Sequence, residues 1–171
     1  MDEPRIEEWA PVQLVGFETT FIHALSPDAN AGDKIGPLWE RYGKSCDQFQ
    51  HLTKPEVCYG FIYAAPEAER AHVDERLYFA GTGCDATADQ PEGTVIRMIP
   101  GGTYAGITIT GGLDAFMDDL KALYRDWLPA SPWIHSWQAD VERYDERFKA
   151  FQPDSVFEYW ISVKPREEAS S

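Results

Sequence analysis

Basic residues are scarce in this chain: 15 Lys and Arg stand against 29 Asp and Glu, a net charge of -14 over 171 residues. Such a surface repels polyanions, so direct binding of nucleic acid is not expected. Cysteine is nearly missing as well. Cys46, Cys58 and Cys84 are an odd number at no metal-ligand spacing, and His23, His51, His72 and His135 are equally scattered. That pattern predicts reduced thiols in a cytoplasmic protein, with no disulfide framework, no metal site and no cofactor. No stretch approaches the roughly eighteen apolar residues of a membrane span, and the opening "MDEPRIEEWA" lacks the apolar core of a secretion signal. Neither a membrane partner nor export is expected. Low-complexity segments are absent too. Only residues 1–10 and 165–171 read as polar, flexible ends, around a single domain over 11–164.

What is present suffices for a packed interior, with 43% hydrophobic and 13% aromatic residues. One stretch, "IRMIPGGTYAGITITGG" from Ile96 to Gly112, has the glycines of a phosphate-binding loop. A nucleotide loop curls backbone amides round the anion and follows them with Lys and then Ser or Thr. Here Gly111 and Gly112 precede Leu113 and Asp114, and the next basic residue is Lys121. The phosphate reading is set aside.

Two segments carry helical periodicity. Ile35, Leu38, Trp39, Tyr42, Cys46 and Phe49 form one apolar stripe, with Asp33 as the expected cap and Pro37 in the first turn. Leu113, Phe116, Met117, Leu120, Tyr124 and Trp127 repeat the same intervals before Pro129, which should end the helix. The flanks repeat too. Extended stretches precede each helix (Val12–Ile22, Thr94–Thr110) and two more follow each (Val57–Tyr63 and Arg76–Gly81; Val141–Phe148 and Val156–Val163). A tandem β-α-β-β duplication accounts for this order. The expected fold is α+β: one antiparallel sheet with both helices on one face, since lone hairpins do not stand by themselves. Pro100, Gly101 and Gly102 then read as a bulge or bend within one long strand.

Strand alternation marks one unusual acid. On Val141–Phe148, Glu142 and Glu146 share a face with Tyr144 and Phe148, while Arg143, Asp145 and Arg147 take the solvated side. On Val156–Val163, Glu158 should point outward, on the same side as Trp160. A carboxylate on a core-facing side costs several kcal/mol unless it is paired or kept wet. Glu142 therefore lies either at a solvated edge or in an aromatic cavity awaiting a cation, and register decides between them. Trp39, Tyr42, Tyr59, Phe61, Tyr63, Tyr104 and Trp127 are the aromatics such a cavity could draw on.

The ordered motifs "IGPLWERYGK", "CYGFIY", "YFAGTGCD", "IPGGTYAGITITGGLDAF", "LYRDWLPASPW", "VERYDERF" and "FEYWISV" make the chain resemble the GyrI-like small-molecule-binding domains. That family includes the effector-binding domains of AraC-type and MerR-type regulators and stand-alone relatives, and the resemblance runs from about Val12 to Lys164. It implies a concave sheet of two β-α-β-β repeats with a ligand pocket between the helices. It also implies that the acid matching "VERY", here Glu142, lies on the floor of an aromatic pocket for lipophilic cations. Trp39, Tyr104, Trp127 and Tyr144 are its expected walls, with Tyr42 and Tyr59 as further ligand-binding candidates. The regulators carry an N-terminal helix-turn-helix domain, for which this chain leaves no room before Pro11. The resemblance implies three functions. A stand-alone small-molecule binder comes first. The second is a hydrolase of electrophilic cyclopropane-type natural products, with Glu142 activating water and Tyr104 donating to the oxyanion. The third is a protein-interaction role such as gyrase inhibition.

Overall fold

The computed structural model describes residues 2–23, 25–64, 70–111, 113–149 and 152–166. Met1, Gly112 and the expected tail beyond Arg166 lie outside them, as does the Leu113 side chain. The elements run β1 (Arg5–Trp9), β2 (Val12–Ile22), α1 (Ala31–Ser45), β3 (Cys58–Ala64), β4 (Glu75–Gly83), β5 (Val95–Ile99), β6 (Gly102–Thr110), α2 (Leu113–Lys121), a π-helical turn (Ala122–Trp127), α3 (Leu128–Ala130), β7 (Trp133–Tyr144) and β8 (Val156–Pro165). All eight strands form one antiparallel sheet in the order β1-β6-β8-β7-β3-β4-β2-β5. No described helix is long and apolar enough to cross a membrane.

Reading this order from either end gives the duplication. Position for position, β1, β6, β8 and β7 correspond to β5, β2, β4 and β3, so an approximate two-fold axis passes through the β3/β7 pairing at the centre of the sheet. The halves also exchange edges. β1 belongs in sequence to the first repeat but pairs with β6 of the second, and β5 pairs back with β2. Two expectations change as a result. Residues 5–9 are an edge strand and not a flexible lead, and Thr94–Thr110 is two strands on different parts of the sheet.

Pro100, Gly101 and Gly102 are therefore a corner between strands and not a bulge within one. β5 and β6 are six strand spacings apart in the order, roughly 30 Å if the sheet were flat. The link from Ile99 to Gly102 can reach only about 10 Å. The sheet must curl until its two ends approach each other. Trp9 to Val12, the matching corner, imposes the same closure.

Curling gives the sheet two buried faces. One carries both helices: Leu38 and Tyr42 of α1 and Leu120 and Leu123 of the second helical segment pack with Phe17, Phe21, Tyr78, Tyr144, Phe157 and Tyr159. The other has no helix over it, yet Phe79, Tyr104, Val141 and Trp160 are buried there with Trp9 against them. The curl itself covers that face. Helix details shift slightly: α1 starts at Ala31 after Asn30, so Asp33 falls in its first turn and Pro37 beyond it. Asn30 does not cap with its side chain, because its Oδ1 accepts the Ile22 amide at 2.7 Å.

Candidate functional site

β7 is the strand on which the chemistry converges. Its alternation puts Asp140, Glu142 and Tyr144 on the helix-bearing face, and hydrogen-bonded pairing sets Glu142 between Gly60 of β3 and Tyr159 of β8. The strand ends at Tyr144, so Glu146, expected beside Glu142, lies in the following turn and is exposed. Gly60 is what makes space. A Cβ there would collide with Glu142 Oε2 and the Tyr78 hydroxyl. "CYGFIY" thus needs glycine for close approach and not for an unusual backbone angle.

Glu142 is buried, and two phenols serve it. Tyr78 and Tyr144 both donate to Oε2, the latter at 2.9 Å, and Trp39 Nε1 donates to the Tyr78 oxygen at 2.8 Å. No donor to Oε1 and no ion pair with Glu142 occurs among the described residues. Burial pushes the Glu142 carboxyl above the usual glutamate range, partly opposed by the two tyrosine hydrogen bonds, and nearby Asp140 adds to the rise. Burial likewise pushes Tyr78 and Tyr144 far up, reinforced by the Glu142 charge, so both stay protonated donors. Trp39 completes the wall, edge-on to Tyr144 at 5.4 Å and to Tyr42 at 5.5 Å.

The structure gathers some of the expected residues and separates others. Glu142, Tyr144, Trp39 and, behind Trp39, Tyr42 are together; the Tyr42 hydroxyl lies 3.4 Å from Cys58 Sγ. Trp127 packs on the same core from the other helical segment. Tyr59 and Tyr104 are on the opposite face, because they alternate out of phase with Ile62 on β3 and Ile107 on β6. The Tyr104 hydroxyl donates to Pro100 O at 2.8 Å. The hydrolase alternative therefore loses the oxyanion donor assigned to it. Glu158 does take the face opposite Glu142, but it is buried and not solvated. It accepts from Arg5 at 3.0 Å, Arg143 at 3.1 Å and Trp160 Nε1 at 3.2 Å.

Four partners escaped the sequence reading: Tyr78, Gly60, Asp140 and His135. Asp140 was within reach, since Asp140, Glu142 and Tyr144 keep one period-two alternation, but the expected strand began one residue too late to include it. Among the described residues no group of three or more His, Cys, Asp or Glu could hold a metal ion.

Known proteins share the family and the fold. The family model for Cass2, the integron-associated effector binding protein, matches residues 5–163. The transcriptional regulator BrlR of Pseudomonas aeruginosa is 29% identical over 160 residues, which cover 93% of this chain and 54% of BrlR. The chain thus spans about half the length of that relative. Among solved structures, SAV2435 bound to tetraphenylphosphonium superposes with a TM-score of 0.75 at 15% identity, covering 95% of this chain and 94% of the other. The integron cassette protein VCH_CASS2 from the Vibrio cholerae mobile metagenome gives 0.59 at 19% identity, covering 95% and 96%. These likenesses show a shared fold.

Proposed function

The chain belongs to the integron-associated effector-binding family, with its GyrI-like fold, and from that premise we propose that it binds lipophilic, aromatic cations over Glu142. One observation carries the reading: a buried carboxyl whose only partners among the described residues are neutral donors, set beneath Trp39 and Tyr144. An acid in such a place gains from a cation that brings its own apolar shell. The cation supplies the missing opposite charge, and the aromatic faces add roughly 0.5 to 2 kcal/mol each. Trp39, Tyr42 and Tyr144 form the wall on the α1 side, and Trp127 approaches from the other helical segment. Tyr78 relays between Trp39 and Glu142, so a ligand that displaces Trp39 frees an acceptor position on the Tyr78 oxygen while its O–H stays on Glu142.

Tetraphenylphosphonium, the cation bound to SAV2435, is the probe. Calorimetry should show it binding the wild-type chain, and Glu142→Gln should weaken it by roughly 1.5 to 3 kcal/mol, about tenfold to a hundredfold. Triphenylphosphine oxide, similar in shape and uncharged, should bind both proteins alike and weakly. Undiminished affinity in the Glu142→Gln protein would sink the reading.

A further inference from the structure

Asp140 lies two positions before Glu142 on the same face of β7, but in different surroundings. A pocket of about 480 Å³ opens over it, with Tyr124 and Ile62 in its walls and Trp137 at its rim. Glu142 is not part of that lining. Asp140 Oδ2 accepts from the hydroxyls of Tyr124 at 2.5 Å and Tyr159 at 3.0 Å, and Oδ1 accepts from His135 Nε2 at 2.7 Å.

The His135 contact looks like an ion pair, but the other ring nitrogen shows that it is not. The β7/β8 pairing shifts register between His135 and Asp140, and there His135 Nδ1 lies 2.7 Å from the Trp137 amide nitrogen. An amide N–H can only donate. Nδ1 must accept, the ring proton sits on Nε2, and the imidazole is in its neutral form. The irregularity is firmly held, since the Gln138 and Ala139 amides both donate to Ser162 Oγ, at 3.2 and 3.0 Å. It also carries strain. Trp137 has φ +63°, a left-handed angle that a residue with Cβ seldom adopts.

Asp140 is thus an acid at the floor of an open pocket, held by three neutral donors. A carboxylate offers about four acceptor positions, so capacity for a further donor remains. Arg70, Arg76 and Asp74 also line the pocket. The Arg76 guanidinium turns to the carbonyls of Val73 and Glu75, at 3.3 and 2.8 Å, and Asp74 accepts from Ser26 at 2.8 Å. Trp137, 72% exposed, packs its indole on the His135 ring at 4.4 Å and leaves the rest of it open beside the pocket.

We propose that Asp140 is a second cation subsite, which takes a hydrogen-bonding ammonium or amidinium group, and that the chain accordingly favours amphipathic dications. The second charge rests on the Glu142 reading above. Two positions along a strand separate the acids by about 7 Å, which sets the scale for the two charges of a ligand. Among the described residues the hydrogen bonds to Asp140 come from Tyr124, Tyr159 and neutral His135, which hold it without cancelling its charge, so an N–H cation there meets an acceptor with a position left. The indole at the rim can cover it.

The test titrates isotope-labelled protein with p-xylylenediamine, whose two ammonium groups stand at about this spacing, and with the monocation benzylamine. The diamine should bind at least about tenfold more tightly and should shift the His135 ring signals. Asp140→Asn should reduce that advantage to about twofold or less, while tetraphenylphosphonium affinity changes by less than about fivefold. A diamine no better than benzylamine, or an advantage that survives in Asp140→Asn, overturns the proposal. If the variant fails to fold, the wild-type protein decides: the diamine must move the His135 signals and the uncharged 1,4-benzenedimethanol must not, and an unmoved His135 overturns the proposal. If tetraphenylphosphonium binding ignores Glu142→Gln while the diamine still shifts His135 and weakens in Asp140→Asn, the Glu142 reading falls and the Asp140 subsite stands.

Discussion

Glu142 and Glu158 sit one residue out of register on neighbouring strands, and the fold moves their protons in opposite directions. Burial raises Glu142, and among the described residues no cation offsets it. Burial also pushes Glu158 up, but hydrogen bonds from Arg5 and Trp160 and the charge of Arg143 outweigh it, so its carboxyl ends below the usual range. The stability consequences are opposite. Glu142 binds its proton more tightly when folded, so its favourable contribution is present below the unfolded value near 4.3 and is lost as pH rises through the raised folded value. Glu158 stabilises above its unfolded value, and that contribution is lost as pH falls through the lowered one. In urea melts at pH 7, Glu142→Gln should match or exceed the wild type, and the difference should shrink toward pH 4. Glu158→Gln should instead lose about 1 to 2 kcal/mol at pH 7, a figure held down because Arg5 is half exposed, and should leave cation binding unchanged. Gly60→Ala tests the space that Glu142 occupies. The new methyl collides with Glu142 and Tyr78, so a loss of about 1 to 3 kcal/mol is expected together with the loss of tetraphenylphosphonium binding. Alternation in the sequence was enough to separate the faces of the two glutamates. It could not reveal that Glu158 is covered, because Arg5 arrives from an edge strand more than a hundred residues away.

At the scale of elements, local periodicity and long-range pairing behaved differently. The helical stripes and the β-α-β-β order were legible because each depends on residues a few positions apart. The edge exchange was not, since nothing local distinguishes Thr94–Thr110 as one strand from two strands at distant places in the sheet. The corner between them makes its own demands. Gly102 has φ +147°, and a Cβ on Gly101 would lie 2.9 Å from Pro11 Cδ and 3.0 Å from Trp9 O, where the two corners touch. Gly102→Val should cost about 1 kcal/mol or more through the backbone angle, and Gly101→Val a similar amount through crowding. Thermal melts of both variants measure this. A Gly101→Val protein as stable as the wild type would mean that the corners do not meet. The helical stripe from Leu113 to Trp127 announced a helix but not its π-helical turn at Ala122–Trp127, which carries Tyr124, the residue that bonds Asp140.

For the whole molecule, strand exchange and the central β3/β7 pairing make two sequence repeats into one folding unit. Neither half has a complete sheet, since each lends an edge strand to the other, and both share the floor of the candidate site along the pseudo-two-fold axis. Gly60 and Tyr78 come from the first repeat and Glu142 and Tyr144 from the second, so the site exists only where the halves meet. A chain cut in the loop between β4 and β5, after Asp89, tests this directly. Each fragment alone should lack near-ultraviolet circular dichroism and a sharp melt, because burying its apolar surface requires the other. Mixed in equal amounts, the fragments should form a one-to-one complex with the native spectrum. Tetraphenylphosphonium should raise the melting temperature of the complex and of neither fragment. A first fragment that folds alone and melts cooperatively would show that β5 is dispensable to the first repeat, and that the exchange joins two finished halves without completing either.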